Sequence, residues 1–189
     1  MEKIKILAVV GSFRKESYNR KLAMAAKELI GDRADFTILE YRDVPFFDQD
    51  IEFPAPDAVK SARDAVRVAD AIWLFTPEYN HFFPGALKNL IDWLSRPAGK
   101  NEPRVLPGKP VTISGISPGP FGTVLAQDHL VTLISYLNMD IMNAPRVAIP
   151  NTNKPPDGSD TPAPLTENPF LIAQVDAFLE FIGKRVRDQ

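Results

Sequence analysis

The chain has 189 residues, which is enough for one well-buried domain and cramped for two. Its 22 Lys and Arg residues against 24 Asp and Glu residues give a net charge of −2, which excludes a strongly basic nucleic-acid binder and a polybasic membrane anchor. There are no cysteines, so thiolate nucleophiles, disulfides and Cys-ligated metal centres are excluded, and any redox chemistry requires a bound cofactor.

The first apolar run, residues 6–11, is too short for the core of a signal peptide and far too short for a membrane span. We therefore expect a cytoplasmic protein that has neither a membrane nor a nucleic acid as partner.

Apolar runs and helical periodicities alternate along the chain. In chain order the sequence predicts a strand at Ile4–Val10, a helix ending near Gly31, a strand at residues 36–39, a helix capped by Asp57, a strand at Ala71–Phe75, a helix after Pro84, a strand at residues 111–116, a helix at residues 125–137, a strand at residues 146–149 and a closing helix at residues 171–186.

The predicted strands are nearly continuous in apolar residues, which is typical of strands buried on both faces of a parallel sheet. Strands that alternate with helices predict βαβ units, and five of them predict an α/β fold. We expect a flavodoxin-like, doubly wound five-stranded parallel sheet in the order 2-1-3-4-5, with helices on both faces. The Pro-rich tract at residues 150–169 is interpreted as a surface excursion, so residues 1–189 are expected to form a single domain.

The loop at residues 11–20 lies between a predicted buried strand and a helix N-terminus, where α/β sheets bind anions. Ser12, Ser17 and Asn19 add short polar side chains, and Arg14 adds a guanidinium suited to a phosphate. The spacing fits neither GxxxxGK[ST] nor GxGxxG. The loop therefore favours a single terminal phosphate, and the alternative is a solvent-exposed loop in which Ser17 or Asn19 only caps the helix.

A second loop, residues 76–81, follows the third predicted strand at the same edge of the sheet. Pro77 stiffens it, Tyr79 offers a flat apolar face, and Asn80 offers an amide. These features suit a planar aromatic ligand, and the alternative is an ordinary turn whose aromatic residues fill the core. Glu78 has no second carboxylate placed with it, so a binding role is expected for it, and His81 is expected to be exposed.

The chain resembles the NADPH-dependent FMN reductase family, flavodoxin-like enzymes that include quinone, azo-dye and chromate reductases. The resemblance is carried by residues 11–23 and 76–97, and more loosely by residues 108–122. It implies that FMN is held at its phosphate by Ser12, Arg14, Ser17, Tyr18 and Asn19. It implies contacts near the flavin ring from Pro77, Glu78, Tyr79, Asn80, Ile116 and Ser117.

The resemblance further implies hydride transfer from NADPH or NADH through bound FMN to a small-molecule acceptor: a quinone, an azo compound, a metal oxyanion or free flavin. No side chain is expected to act as a catalytic acid, base or nucleophile, and no metal is expected. The family implies a homodimer or homotetramer. Two alternatives stay open from the sequence: a flavodoxin-like electron carrier or flavin-binding sensor without rapid NAD(P)H turnover, and a hydrolase that uses Ser117, His129 and Asp128.

Overall fold

A parallel sheet organises the chain, as the alternating pattern predicts. The computed structural model describes residues 3–99, 102–150 and 164–187. The strands are β1 (Ile4–Val10), β2 (Ala34–Ile38), β3 (Ala71–Phe75), β4 (Pro110–Ile116), β5 (Asp140–Ile141) and β6 (Val147–Ile149). The helices are α1 (Tyr18–Ile30), α2 (Asp57–Val68), α3 (Gly85–Leu94), α4 (Val124–Tyr136) and α5 (Pro169–Arg187).

The strand order is β2-β1-β3-β4-β5, and every pairing is parallel, which confirms the expected flavodoxin-like order. The sheet differs from the prediction at the edge beside β4. The fifth strand is split into β5 and β6, which pair with opposite ends of β4. The sequence pattern misses β5 because two residues are too few to carry a hydrophobic period.

The buried residues of β1 alternate between two hydrophobic cores, as the two-residue period of a strand requires. Leu7 and Val9 belong to the core under α2, α3 and α4, whereas Ile6, Ala8 and Val10 belong to the core under α1 and α5. Helices therefore cover both faces, and the edge at the strands' carboxyl ends is left for the connecting loops.

A buried polar network fixes α5 on the sheet. The indole Nε1 of Trp73 donates to Ser114 Oγ at 2.8 Å, and the Ser114 hydroxyl donates to Gln174 Oε1 at 2.7 Å. Gln174 Nε2 donates to the Ile113 carbonyl at 2.9 Å. The network satisfies polar groups that would otherwise be costly to bury.

One predicted helix cap is wrong, and one arginine at a helix end has a buried partner. Asp57 does not cap α2, because Pro56 is the N-cap residue and its carbonyl accepts from the backbone N–H of Val59 and Lys60. Asp57 lies in the first turn and pairs with Lys60 at 2.9 Å. Arg96, which follows α3, pairs within the chain with the buried Glu52 at 2.8 Å.

The interpretation of residues 150–169 as a surface excursion falls largely outside the described residues. The closing helix is confirmed as α5. Among the described helices, none has the length and apolarity needed to cross a membrane.

Candidate functional site

Three loops meet at the carboxyl edge of the sheet. We name them the first loop (residues 11–17, after β1), the second loop (residues 76–84, after β3) and the third loop (residues 117–123, after β4). The backbone N–H of Gly11 donates to the Phe75 carbonyl at 2.8 Å. A Cβ on Gly11 would lie 3.3 Å from Pro77 Cδ, so this glycine lets the first two loops pack closely.

The first loop ends in the N-cap of α1. The buried Ser17 Oγ accepts the backbone N–H of Arg20 at 3.3 Å, which confirms the capping interpretation. A hydroxyl that accepts this bond still has its own proton to donate. Ser12 Oγ accepts the backbone N–H of the exposed Arg14 at 3.4 Å, and the Arg14 guanidinium lies 5.5 Å from the Tyr18 ring centroid. The structure thus brings Ser12, Arg14, Ser17 and Tyr18 together at the start of α1.

Asn19 faces the interior of the protein. Its Nδ2 donates to the Ile116 carbonyl at 3.0 Å, and its Oδ1 accepts the Ile116 N–H at 3.1 Å. Asn19 is 2% exposed, and the Ile116 side chain is buried in the core under α1 and α5. These hydrogen bonds hold the start of α1 against the end of β4. The sequence did not indicate this structural role for Asn19.

Tyr41 and Arg42 support the first loop, and sequence reasoning missed both. The Tyr41 hydroxyl donates to the Val10 carbonyl at 2.8 Å, and its ring packs on Phe13 with centroids 4.8 Å apart. The Arg42 guanidinium lies 4.8 Å from the Phe13 ring centroid. Burial raises the pKa of Tyr41, with a smaller contribution from Tyr79. The predicted strand order could have indicated both residues. Because β1 and β2 are parallel neighbours, the residues that follow β2 lie beside those that follow β1.

The second loop contains a strained two-residue turn. Tyr79 and Phe82 exchange backbone hydrogen bonds of 2.9 and 3.0 Å, and between them Asn80 and His81 have φ angles of 52° and 63°. Asn adopts the left-handed region readily, whereas the position of His81 is normally Gly in such turns. His81 is exposed, as expected, and Tyr79 is 51% exposed. Backbone strain of this kind clusters at functional sites.

Glu78 connects the second loop to α4. Its Oε2 accepts the backbone N–H of Ala126 at 3.0 Å, in the first turn of that helix. Thr123, the N-cap residue, makes no side-chain capping bond, so Glu78 supplies the cap from another loop.

The third loop is held close to the second. A Cβ on Gly115 would lie 2.0 Å from Thr123 Oγ1 and 2.5 Å from the Thr76 carbonyl oxygen, so only glycine fits there. Ser117 N–H donates to the Ile149 carbonyl at 3.0 Å, and Ser117 Oγ accepts the Gly119 N–H at 3.2 Å. Ser117 is therefore buried at the base of this loop.

The residues considered for a hydrolase have separate partners. Ser117 Oγ accepts the Gly119 N–H, Asp128 pairs with Arg146 at 3.3 Å, and the His129 ring stacks on Phe82 with centroids 4.2 Å apart. No charge-relay arrangement joins them, so the hydrolase alternative lacks structural support. Over residues 3–99, 102–150 and 164–187, no group of three or more His, Asp and Glu side chains could hold a metal ion.

Known proteins resemble this chain over nearly its whole length. The family model described as NADPH-dependent FMN reductase matches residues 4–154. A 2-hydroxy-1,4-benzoquinone reductase from Burkholderia is 33% identical over 96% of this chain and 98% of its own length. A quinone reductase from Pseudomonas putida is 38% identical over 94% of each chain. The solved structure of a flavoenzyme NAD(P)H:(acceptor) oxidoreductase from Paracoccus denitrificans, FerB, superposes with a TM-score of 0.81 at 36% identity, covering 96% of this chain and 98% of that one.

Proposed function

The chain belongs to the NADPH-dependent FMN reductase family, and we propose that its three edge loops hold FMN for the reduction of a quinone by NADPH or NADH. The chain is thus an NAD(P)H-dependent oxidoreductase with FMN as its cofactor. The observation that carries the proposed site is the close approach of the first and second loops at Gly11, where a Cβ would crowd Pro77. It joins an anion-binding helix N-terminus to a loop that offers a flat aromatic face.

The first loop fits the phosphate group of FMN. The Ser12 and Ser17 hydroxyls and the Arg14 guanidinium are hydrogen-bond donors to phosphate oxygens, and the N-terminus of α1 favours negative charge. Tyr18 lies beneath Arg14 and orients its guanidinium. Ser17, fixed as the N-cap, presents its hydroxyl to the phosphate without a further loss of side-chain freedom.

The second and third loops fit a planar ring. Pro77, Glu78, Tyr79 and Asn80 border one edge of it, and Ile116 and Ser117 support the other side through buried contacts of their own. When bound, FMN supplies the hydride chemistry between the nicotinamide nucleotide and the acceptor. The chain's residues bind and orient it, and no side chain is needed as a catalytic acid or base.

A quinone is the acceptor class we propose, since both relatives named above are quinone reductases. Large exposed apolar side chains, Tyr79 and Phe121 among them, lie in the second and third loops. They offer apolar surface to a planar acceptor. The electron carrier or sensor remains the second candidate, and it differs in having no rapid turnover with NAD(P)H.

We propose a homo-oligomer, a dimer or a tetramer, that forms through this same edge. Tyr79, Phe82, Phe121, Val124 and Leu125 are each between 38% and 71% exposed in the single chain. Apolar surface that a second copy would cover is typical of subunit interfaces. We also propose that residues 1–189 form one FMN-binding domain and that the protein acts in the cytoplasm, where reduced nicotinamide nucleotides are present.

The test is a sequence of absorbance spectra on one sample. Protein incubated with FMN and then desalted is mixed anaerobically with NADPH, or in parallel with NADH, and afterwards with a benzoquinone. We expect flavin bands that survive desalting, bleach within seconds and return when the quinone is added. Bands that persist in the presence of both nucleotides would contradict the reductase and favour the carrier or sensor.

A further inference from the structure

Arg63 is a buried cation with two nitrogens that have no hydrogen-bond acceptor among the described residues. It lies on α2 and is 1% exposed, and its Nη2 donates to the Trp93 carbonyl at 3.1 Å. Nε and Nη1 have no hydrogen-bond partner within the part of the chain that the structure describes. Because buried polar groups are nearly always paired, two unpaired nitrogens on a buried charge indicate a missing acceptor.

The carboxylates near Arg63 are engaged by other cations. Glu52 is held by Arg96 through two bonds of 2.8 and 3.1 Å. Arg67 pairs with Asp64, and it also lies 3.4 Å from Glu102. Glu52 and Glu102 act on Arg63 only through longer-range attraction, which opposes the lowering of its pKa by burial.

Arg63 also lines a cavity of about 320 Å³ whose lining contains both charged and apolar residues. The charged residues of the lining are Lys60, Arg63 and Arg67 against Asp64 and Glu102, which is three positive and two negative charges. Phe53, Pro54, Ala55 and Ala98 are the apolar residues of the lining. Lys60 pairs with Asp57, and Arg67 pairs with Asp64 and Glu102. Among the described residues, Arg63 is therefore the one cation of this lining that no carboxylate contacts.

We propose that this cavity binds a small oxyanion, a carboxylate or phosphate group, that accepts hydrogen bonds from Arg63. An oxygen of such a group would accept hydrogen bonds from the Arg63 guanidinium, and an apolar body attached to the anion would pack against Phe53 and Pro54. The unpaired nitrogens of Arg63 are covered. Binding therefore requires a shift of the half-exposed Lys60 and Arg67 side chains, whose ion pairs lie at the surface. The site is lined by residues outside the three edge loops and does not depend on the flavin.

Isothermal titration of the FMN-loaded protein with inorganic phosphate and with benzoate, at constant ionic strength, tests the proposal. We expect saturable binding of at least one anion and an affinity about tenfold or more weaker in Arg63→Met, because a hydrogen bond from a charged donor is lost. Met fills a similar volume without the charge, a change that buried sites often tolerate. Lys184→Gln is the matched control, since Lys184 is a surface cation on α5 that is paired with Glu180. The anion affinity of the Lys184→Gln variant should equal that of the original protein.

A second readout does not depend on how Arg63→Met folds. In a ¹H–¹⁵N spectrum of the original protein, the Nε–H signal of buried Arg63 should shift and saturate with the same anion. If benzoate alone binds, an organic carboxylate is the ligand class; if phosphate alone binds, it is a phosphate group. No saturable binding of either anion, equal affinity in Arg63→Met, or an unshifted Nε–H signal during binding would each overturn the proposal.

Discussion

The side-chain amide of Asn19 holds both backbone polar groups of Ile116, accepting its N–H at 3.1 Å and donating to its carbonyl at 3.0 Å. The two residues are separated by 97 positions in the chain, and both are buried. This contact fixes the distance between the first loop and the end of β4. The geometry of the proposed flavin site therefore depends on a residue that the sequence assigned to phosphate binding.

Asn19→Asp should destabilise the FMN-free protein by about 2–3 kcal/mol, because the Ile116 carbonyl loses its donor and faces a carboxylate oxygen instead. Urea unfolding of the FMN-free protein measures the change. Ser12→Ala is the control, since Ser12 lies in the first loop just before α1 and, among the described residues, its side chain bonds within that loop. A loss of FMN affinity in Asn19→Asp with unchanged stability would mean that Asn19 contacts the phosphate and does not stabilise the protein by holding α1 to β4.

Glu78 should stabilise α4 through charge and capping together. Glu78→Gln keeps an acceptor for the Ala126 N–H but removes the charge, so a loss of about 0.5–1 kcal/mol is expected at low salt. Glu78→Ala also removes the cap and should lose about 1–2 kcal/mol. Thermal melts at low and high salt measure both. High salt should shrink the loss in Glu78→Gln because it screens the interaction of charge with the helix dipole. A loss independent of salt would contradict this explanation.

His81→Gly should raise the free energy of unfolding by about 1 kcal/mol, because glycine adopts the positive φ at this turn without steric cost. For a chain of this size, that corresponds to a rise in melting temperature of about 2–4 °C. Asn80→Gly is the matched control and should gain less, since Asn tolerates the left-handed region. If His81→Gly lowers the melting temperature instead, the imidazole makes contacts that outweigh the backbone strain.

Tyr41 should make the protein sensitive to alkali. Burial raises the pKa of the folded Tyr41 above its ordinary value of 10.0, so the unfolded chain loses this proton first as the pH rises. The stabilisation is complete below pH 10 and is lost progressively above it. In urea unfolding across alkaline pH, Tyr41→Phe should show a shallower decline than the original protein. At neutral pH it should be about 1 kcal/mol less stable, because the bond to the Val10 carbonyl is lost. Parallel declines would show that other groups dominate.

The sheet was predictable because its strands are defined by local pattern. The bounds of β1 and β3 agree with their apolar runs. The alternation of strands and helices indicated parallel βαβ units, and their number matched the doubly wound sheet whose order the structure has. The prediction that Asp57 caps α2 was wrong because it followed the statistical preference for Asp over Pro at N-cap positions. In the structure the helix begins one residue earlier, and the Pro56 carbonyl accepts its first hydrogen bonds.

The proposed site was only partly predictable. The hydroxyls and the Arg of the first loop lie close together in sequence, so the helix N-terminus that carries them was visible as a motif. The links from Asn19 to Ile116 and from Glu78 to Ala126 join a polar side chain to backbone groups far away in the chain, and no periodicity marks such pairs. Arg63 appears in the sequence as one more charged residue of an amphipathic helix. Its burial follows from packing against the end of α3.

The most direct test of the central claim compares the affinities of the FMN-free protein for FMN and riboflavin, which differ only by the phosphate. If the first loop and the N-terminus of α1 hold that phosphate, FMN should bind at least about a hundredfold more tightly, the effect of two hydrogen bonds to a charged group. Arg14→Ala should weaken FMN binding and leave riboflavin binding unchanged. Equal affinities for the two flavins, or an equal loss for both in Arg14→Ala, would contradict the site.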